Sequence, residues 1–160
     1  MNNKLYVFGG GTNTALTDGY VYDIQKDAWD KVASVEVDNK DISVYGGNSI
    51  KLNEDEMLVI GGFNKEVYDW AVSNLGSLKE QELADFKAKY FGVDVAEFKW
   101  NNQILVYNAK TNTWRSIGQI PFNAPCGEGL VYAGDSIISI NGEVKPGVRS
   151  NRIYQGFIVK

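Results

Sequence analysis

The feature that most constrains this chain is an internal repeat. Val21-Tyr22-Asp23-Ile24-Gln25-Lys26-Asp27-Ala28-Trp29-Asp30 aligns without a gap on Val106-Tyr107-Asn108-Ala109-Lys110-Thr111-Asn112-Thr113-Trp114-Arg115, at a constant offset of 85 positions. Each copy reads as a short strand, a polar turn and a second strand opened by Trp. A second signature lies upstream of each. Leu5-Tyr6-Val7-Phe8-Gly9-Gly10 corresponds to Leu58-Val59-Ile60-Gly61-Gly62, and Ile138-Ser139-Ile140-Asn141-Gly142 is a third, altered copy. Self-similarity on this scale marks stacked structural units and outranks local propensity.

The spacings also locate an insertion. Gly10 precedes Trp29 by 19 residues, whereas Gly62 precedes Trp114 by 52, so the second unit carries 33 extra residues. Without them the first two units stand 52 residues apart. A period of about 50 with a double glycine, then Tyr and Trp, is the kelch pattern, in which each repeat is a four-stranded blade of a β-propeller. The expected fold is therefore all-β: a single partial propeller domain over residues 1–160, about three blades, with a helical insertion at about 63–101 in the second blade.

In the first unit, strands are expected near Leu5–Phe8, Tyr20–Asp23 and Trp29–Val32. The second unit supplies Ser43–Leu52, Met57–Ile60, Gln103–Tyr107 and Trp114–Ile117. The third supplies Gly129–Ala133, Ser136–Ile140 and Arg152–Val159. The first blade then lacks its innermost strand and the last its outermost. Propellers bury their blade faces by closing into a ring of four to eight blades. An open arc exposes apolar faces and strand edges, so further blades or other copies of this chain are expected to close the ring.

Within the insertion, Ser77-Leu78-Lys79-Glu80 reads as a capping box. Leu83, Phe86 and Tyr90 follow on one helical face, with Gly92 as a stop. Asp94-Val95-Ala96-Glu97 reads as a second box, and Glu66–Asn74 as a further short helix with Val67, Trp70 and Ala71 on one side. These helices either pack the insertion onto its blade or form a lid over one mouth of the ring.

Composition narrows the chemistry. The chain has no His, which excludes Ser-His and Cys-His nucleophile pairs, His zinc sites and a His general base. It also disfavours copper chemistry. Net charge is -4 with no basic run, so neither nucleic acid nor an anionic membrane is an expected partner. No apolar stretch is long enough to span a membrane, and the first residues read as a strand with no signal-peptide core. Cys126 is the single cysteine and reads as a buried structural thiol, since nothing beside it would activate it.

The most charged strand exit is Asn141-Gly142-Glu143-Val144-Lys145-Pro146-Gly147-Val148-Arg149-Ser150, which follows Ser136–Ile140. It brings a carboxylate and a guanidinium together on a turn shaped by Pro and Gly, where rigid β scaffolds carry function. Glu143 reads as an acid–base group or a solvated turn carboxylate. Arg149 reads as an anion clamp or as an ion-pair partner of Glu143 or Asp135. Lys145 is a second positive contact or a solvated turn lysine. Asn64, at the end of a Gly-Gly strand, is an amide for a ligand or a turn residue.

Taken in order, the helical insertion after Gly61-Gly62-Phe63-Asn64, the Lys89-Tyr90-Phe91 stretch, the Tyr107 and Trp114 strand pair and the Gly142-Glu143-x-Lys145-Pro146-Gly147-x-Arg149 motif resemble the N-acetylneuraminate epimerases, the sialic acid mutarotases of bacteria. The resemblance spans essentially the whole chain. It implies about half of a six-bladed kelch propeller and a periplasmic or secreted parent. It also implies a sugar acid, N-acetylneuraminic acid, as partner, with interconversion of its α- and β-anomers and no cofactor. On that reading Glu143 and Arg149 are catalytic, and Arg149, Lys145 and Asn64 bind substrate. Gly46-Gly47-Asn48-Ser49 departs from the Gly-His common in kelch strands. The competing readings are a non-catalytic propeller segment that binds glycan or protein, and an inactive half-propeller whose role is assembly.

Overall fold

The computed structural model describes residues 1–158. The repeat becomes three antiparallel sheets. The first holds β1 (Lys4–Gly11), β2 (Ala15–Asp23) and β3 (Ala28–Val32). Next in the chain come β4 (Glu36–Val37) and β5 (Lys40–Asp41), a small hairpin turned by Asp38 and Asn39, both with positive φ. The second sheet holds β6 (Asn48–Lys51), β7 (Glu56–Ile60), β8 (Gln103–Asn108) and β9 (Thr113–Gln119). The third holds β10 (Gly129–Ala133), β11 (Ser136–Ile140) and β14 (Ile153–Phe157). Between β11 and β14 lies the hairpin of β12 (Glu143–Lys145) and β13 (Val148–Arg149).

The twin motifs fold alike because their polar residues do the same work. Tyr22 donates its hydroxyl to Asp27, and Tyr107 donates to Asn112 at 2.9 Å. Asp23 accepts from the backbone N–H groups of Gln25 and Lys26, while Asn108 accepts from those of Lys110 and Thr111. Each is an Asx-type turn that lets the side chain satisfy the bend. In both, Trp pairs across the strands with Tyr, ring centroids 5.1 Å apart.

Two cores lie between the sheets. Val35, Ile42, Val44, Val59 and Leu105 fill the space between the first and second, with Phe8 and Trp114 against them. Leu58, Ile60, Val106, Cys126 and Ile137 lie between the second and third. The outer flanks are open. Leu5 and Trp29 on the first sheet, Ile24 in the turn between β2 and β3, and Ile153 and Phe157 on the third sheet are all more than half exposed.

Several boundaries differ from the sequence reading. The strand expected over Ser43–Leu52 is only Asn48–Lys51. Val44 accepts from the N–H of Gly47 at 2.9 Å and Gly46 has φ 82°, so the chain turns before it can pair. The first helix, α1 (Lys65–Ser77), outruns Glu66–Asn74 at its C-terminal end. Ser77 is not a cap: it ends α1, and its hydroxyl donates to the carbonyl of Ser73. The second helix, α2 (Glu80–Gly92), starts after Lys79 with no side-chain cap. Asp94 does cap the short 3-10 turn over Val95–Phe98, accepting from the N–H of Ala96. Of the strand expected over Arg152–Val159, the end at Val159 lies outside the described residues.

The helices join β7 to β8, and the β12–β13 hairpin joins β11 to β14, so both leave the corresponding end of their blades. The β1–β2 turn shares that end. Tyr68 of α1 donates to the carbonyl of Thr12 at 3.1 Å, and Asp69 accepts from the N–H of Ala15 at 2.7 Å. Loops from all three blades therefore converge on one face.

Candidate functional site

β11 delivers the chain into this face at Ile140. Asn141 and Gly142 take φ 58° and 94° and turn it over the third blade. Position 142 has no room for a side chain: a Cβ there would lie 2.8 Å from Cβ of Pro125 and 3.0 Å from Cβ of Glu128. Glu143 is then fastened by its backbone, exchanging both hydrogen bonds with Cys126 at 2.8 Å.

The hairpin register places Glu143 opposite Arg149. The Glu143 carboxylate accepts from the N–H of Gly147 at 2.5 Å through Oε1, while Oε2 lies 3.7 Å from the Arg149 guanidinium. Glu143 is half-buried, and the Arg149 side chain is 74% exposed. One carboxylate oxygen is thus oriented by the turn. The guanidinium keeps most of its donors open to solvent, as an anion clamp requires. Asp135 is not the partner of Arg149; it accepts from the hydroxyl of Ser136.

The other two sequence candidates have structural engagements. Lys145 donates to the carbonyls of Phe91 at 3.1 Å and Val93 at 2.7 Å. These belong to the end of α2, where carbonyls lack helical partners, so Lys145 bolts the hairpin to the insertion. Asn64 is the N-cap of α1, its side-chain oxygen accepting from the N–H of Val67 at 3.0 Å. Its amide nitrogen makes no hydrogen bond among the described residues. Asn64 and Pro146 border a cavity of about 190 Å³ between α1, α2 and the hairpin.

Sequence reasoning missed Glu128. It is 2% exposed, and neither carboxyl oxygen has a hydrogen-bond partner among the described residues. Its backbone carbonyl accepts from the Asn48 amide at 2.7 Å, which ties the third blade to the second. A Cβ on Gly61 would lie 3.4 Å from its Oε1. Burial pushes the carboxyl up to about 7. Two flanking glycines carry no signal of burial in the sequence; only the approach of the glycine turns at Gly61 and Gly142 reveals it. Beside it Cys126 is buried, as expected, and burial pushes its thiol up to about 12. Among the described residues no cluster of His, Cys, Asp and Glu could hold a metal ion, and no helix is long and apolar enough to cross a membrane.

Comparison with known proteins agrees with this architecture. The family profile described as N-acetylneuraminate epimerase matches residues 1–160. The N-acetylneuraminate epimerase of Salmonella typhi is 32% identical over 162 residues, covering 97% of this chain and 41% of that protein. Its counterpart in Yersinia enterocolitica is 34% identical over 167 residues, covering 98% and 41%. The solved structure of YjhT superimposes with a TM-score of 0.87 at 23% identity, over 98% of this chain and 47% of that one. The chain thus spans less than half the length of these relatives, and its fold is a kelch-type β-propeller segment. On the match across its full length, this chain belongs to the N-acetylneuraminate epimerase family.

Proposed function

We propose that this chain is the portion of a sialic acid mutarotase that carries its acid–base group, interconverting the α- and β-anomers of N-acetylneuraminic acid. The observation that carries the reading is the Glu143–Arg149 pair, held on one hairpin across the register and facing the loop-bearing end of the blades. Family membership supports the substrate class.

Mutarotation needs one proton taken and one given. The Glu143 carboxylate accepts the proton of the anomeric hydroxyl. The released O–H electron pair forms the carbonyl, the bond from the anomeric carbon to the ring oxygen breaks, and that oxygen takes up a proton from the same carboxyl group or from water. Rotation presents the other carbonyl face, and the reverse sequence closes the ring. Arg149 pairs with the sugar's own carboxylate, which fixes the anomeric carbon against Glu143. The Gly147 N–H aims the carboxylate without consuming its second oxygen. No cofactor is required by this chemistry. The ring is closed by further blades or by other copies of the chain, and the parent protein acts in the periplasm or outside the cell.

Proton NMR of freshly released sugar tests this. Glu143→Gln should remove the protein-dependent acceleration, a loss of at least ~100-fold for an acid–base group. A folded chain that binds the sugar but leaves the spontaneous rate unchanged would favour the second reading, a glycan-binding propeller segment. The open flanks at Trp29 and Phe157 favour that reading for the isolated chain.

A further inference from the structure

The cavity beside the site hairpin has a composition that the mechanism above does not use. Its walls are Phe63, Val67, Tyr68, Ala71, Tyr90 and Trp100, and it measures about 190 Å³. Two polar features sit at its border. One is Asn64, whose side-chain oxygen is committed to the α1 cap and whose amide nitrogen is free among the described residues. The other is the hairpin, which contributes Pro146, three positions from Glu143. The cavity's place relative to Glu143 is fixed twice. Lys145 locks the hairpin to Phe91 and Val93, and Gly147 is bound to the Glu143 carboxylate.

An N-acylated sugar acid has a single hydrocarbon end. Apart from one ring methylene, the ring carbons and the polyol tail carry oxygen or nitrogen, and the carboxylate is charged; the acyl methyl is the only methyl group and the only projecting hydrocarbon. An apolar cavity with an amide donor at its rim complements an acylamino group better than any other part of such a sugar. The methyl gains by leaving water, and the acyl carbonyl oxygen needs a donor to be buried without penalty. We propose that this cavity is the acyl pocket of the site. Asn64 donates through Nδ2 to the acyl carbonyl, and Ala71 sets the length of acyl chain admitted. The proposal rests on the sugar-acid reading. It adds that the helical insertion is the specificity element, separate from the hairpin that does the chemistry.

Size sharpens the claim. A methyl is close to the ~30 Å³ that water occupies in the liquid, so the cavity has room for longer acyl groups. N-propanoyl and N-butanoyl analogues are therefore expected to bind at least as well as the N-acetyl sugar. The analogue with a hydroxyl in place of the acylamino group should bind about tenfold to fiftyfold more weakly, the worth of a buried methyl and a hydrogen bond together.

Saturation-transfer NMR on the whole chain, irradiating aromatic ring protons, tests placement directly. The acetyl methyl should receive the strongest saturation of any sugar proton. Saturation on ring and tail protons with the methyl unmarked overturns the acyl pocket and leaves the sugar-acid reading standing. No saturation on any sugar proton overturns both. Two variants then separate recognition from scaffold. Asn64→Asp keeps an oxygen to cap α1 but removes the amide donor, and should weaken the N-acetyl sugar at least tenfold with α1 intact by circular dichroism. Ala71→Leu should weaken the N-butanoyl analogue more than the hydroxyl analogue. Equal effects on both analogues, or unchanged N-acetyl affinity in a helical Asn64→Asp chain, overturn the assignment.

Discussion

The two seams between neighbouring blades are built from different materials. The first seam is aromatic at its centre, with the Lys65–Asp69 pair reaching Ala15 only at its loop-bearing end. Phe8 of β1 packs edge-on against Tyr107 and Trp114 at 4.8 Å each, and Tyr6 lies 5.7 Å from Tyr107. The second seam adds to its apolar Leu58, Ile60 and Ile137 a set of glycine turns pressed against Pro125, Cys126 and Glu128, with a carboxyl sealed inside. The first seam only has to hold. The second lies under the hairpin that carries Glu143 and Arg149, and it accepts a buried titratable group there. The comparison teaches that stability and sensitivity to conditions are segregated within one repeat architecture: removing packing should hurt most at the first seam, and changing pH between about 5 and 8 should act mainly at the second, since the Asp69 carboxyl at the first is held below its ordinary value.

The largest effect is expected from Tyr107→Ala. Tyr107 is fully buried and touches three aromatic rings across and along the seam. Truncating a buried aromatic costs about 3–5 kcal/mol, a large share of a domain's stability. The denaturation midpoint in urea should fall accordingly across about pH 5 to 8. A small shift, or one that varied within that range, would mean that the first seam is not the packing-dominated joint described here.

Next comes Glu128→Gln, whose effect depends on pH. Burial raises the folded-state carboxyl from an ordinary value of 4.5 to about 7. The fold therefore prefers the protonated form. The stability tied to that proton is fully present below about pH 4.5 and is lost as pH rises through about 7. At 1.36 kcal/mol per unit the loss amounts to roughly 3 kcal/mol by pH 8. The groups around the carboxyl do not offset it. Cys126 is held neutral and Glu143 is a second acid, while Gly61 and Gly142 carry no charge. The wild-type midpoint should decline between pH 5 and pH 8, whereas the Gln variant, with nothing to ionise, stays nearly flat. Parallel profiles for the two proteins would remove the buried carboxyl from the second seam.

Much of this fold is legible in sequence because a repeat is compared with itself. Tyr22 and Tyr107, Asp23 and Asn108, and Trp29 and Trp114 mark the same hairpin twice, and the spacing between them exposes the insertion without any propensity argument. The hairpin of Glu143 and Arg149 is legible too, since its Pro and Gly residues define the turn that sets them opposite each other. What escapes is whatever depends on contacts distant in the chain. Lys145 meets the end of α2 across 52 and 54 positions. Glu128 is buried by turns that end two other strands. Ser77 satisfies a capping-box pattern, yet α1 continues through it. A local motif cannot register that the preceding helix is still running.

The smallest expected effect separates local from neighbour-given stability within the repeat itself. Tyr22 and Tyr107 make the same hydroxyl bond to the residue five positions on. Tyr107→Phe removes that bond inside a closed seam, where the Asn112 oxygen also holds the N–H of Ala33 from the first blade at 2.8 Å. A loss of about 1 kcal/mol follows. Tyr22 sits on an open flank beside an exposed Trp29, and water replaces its hydroxyl bond as soon as it is lost. Tyr22→Phe should leave the urea midpoint unmoved. Should the two variants fall equally, the hydroxyl would be stabilising the turn by itself. Should Tyr22→Phe become costly once further blades or copies cover that flank, the difference between the twins belongs to the neighbouring blade, and the midpoint of this one variant becomes an assay for closure of the ring.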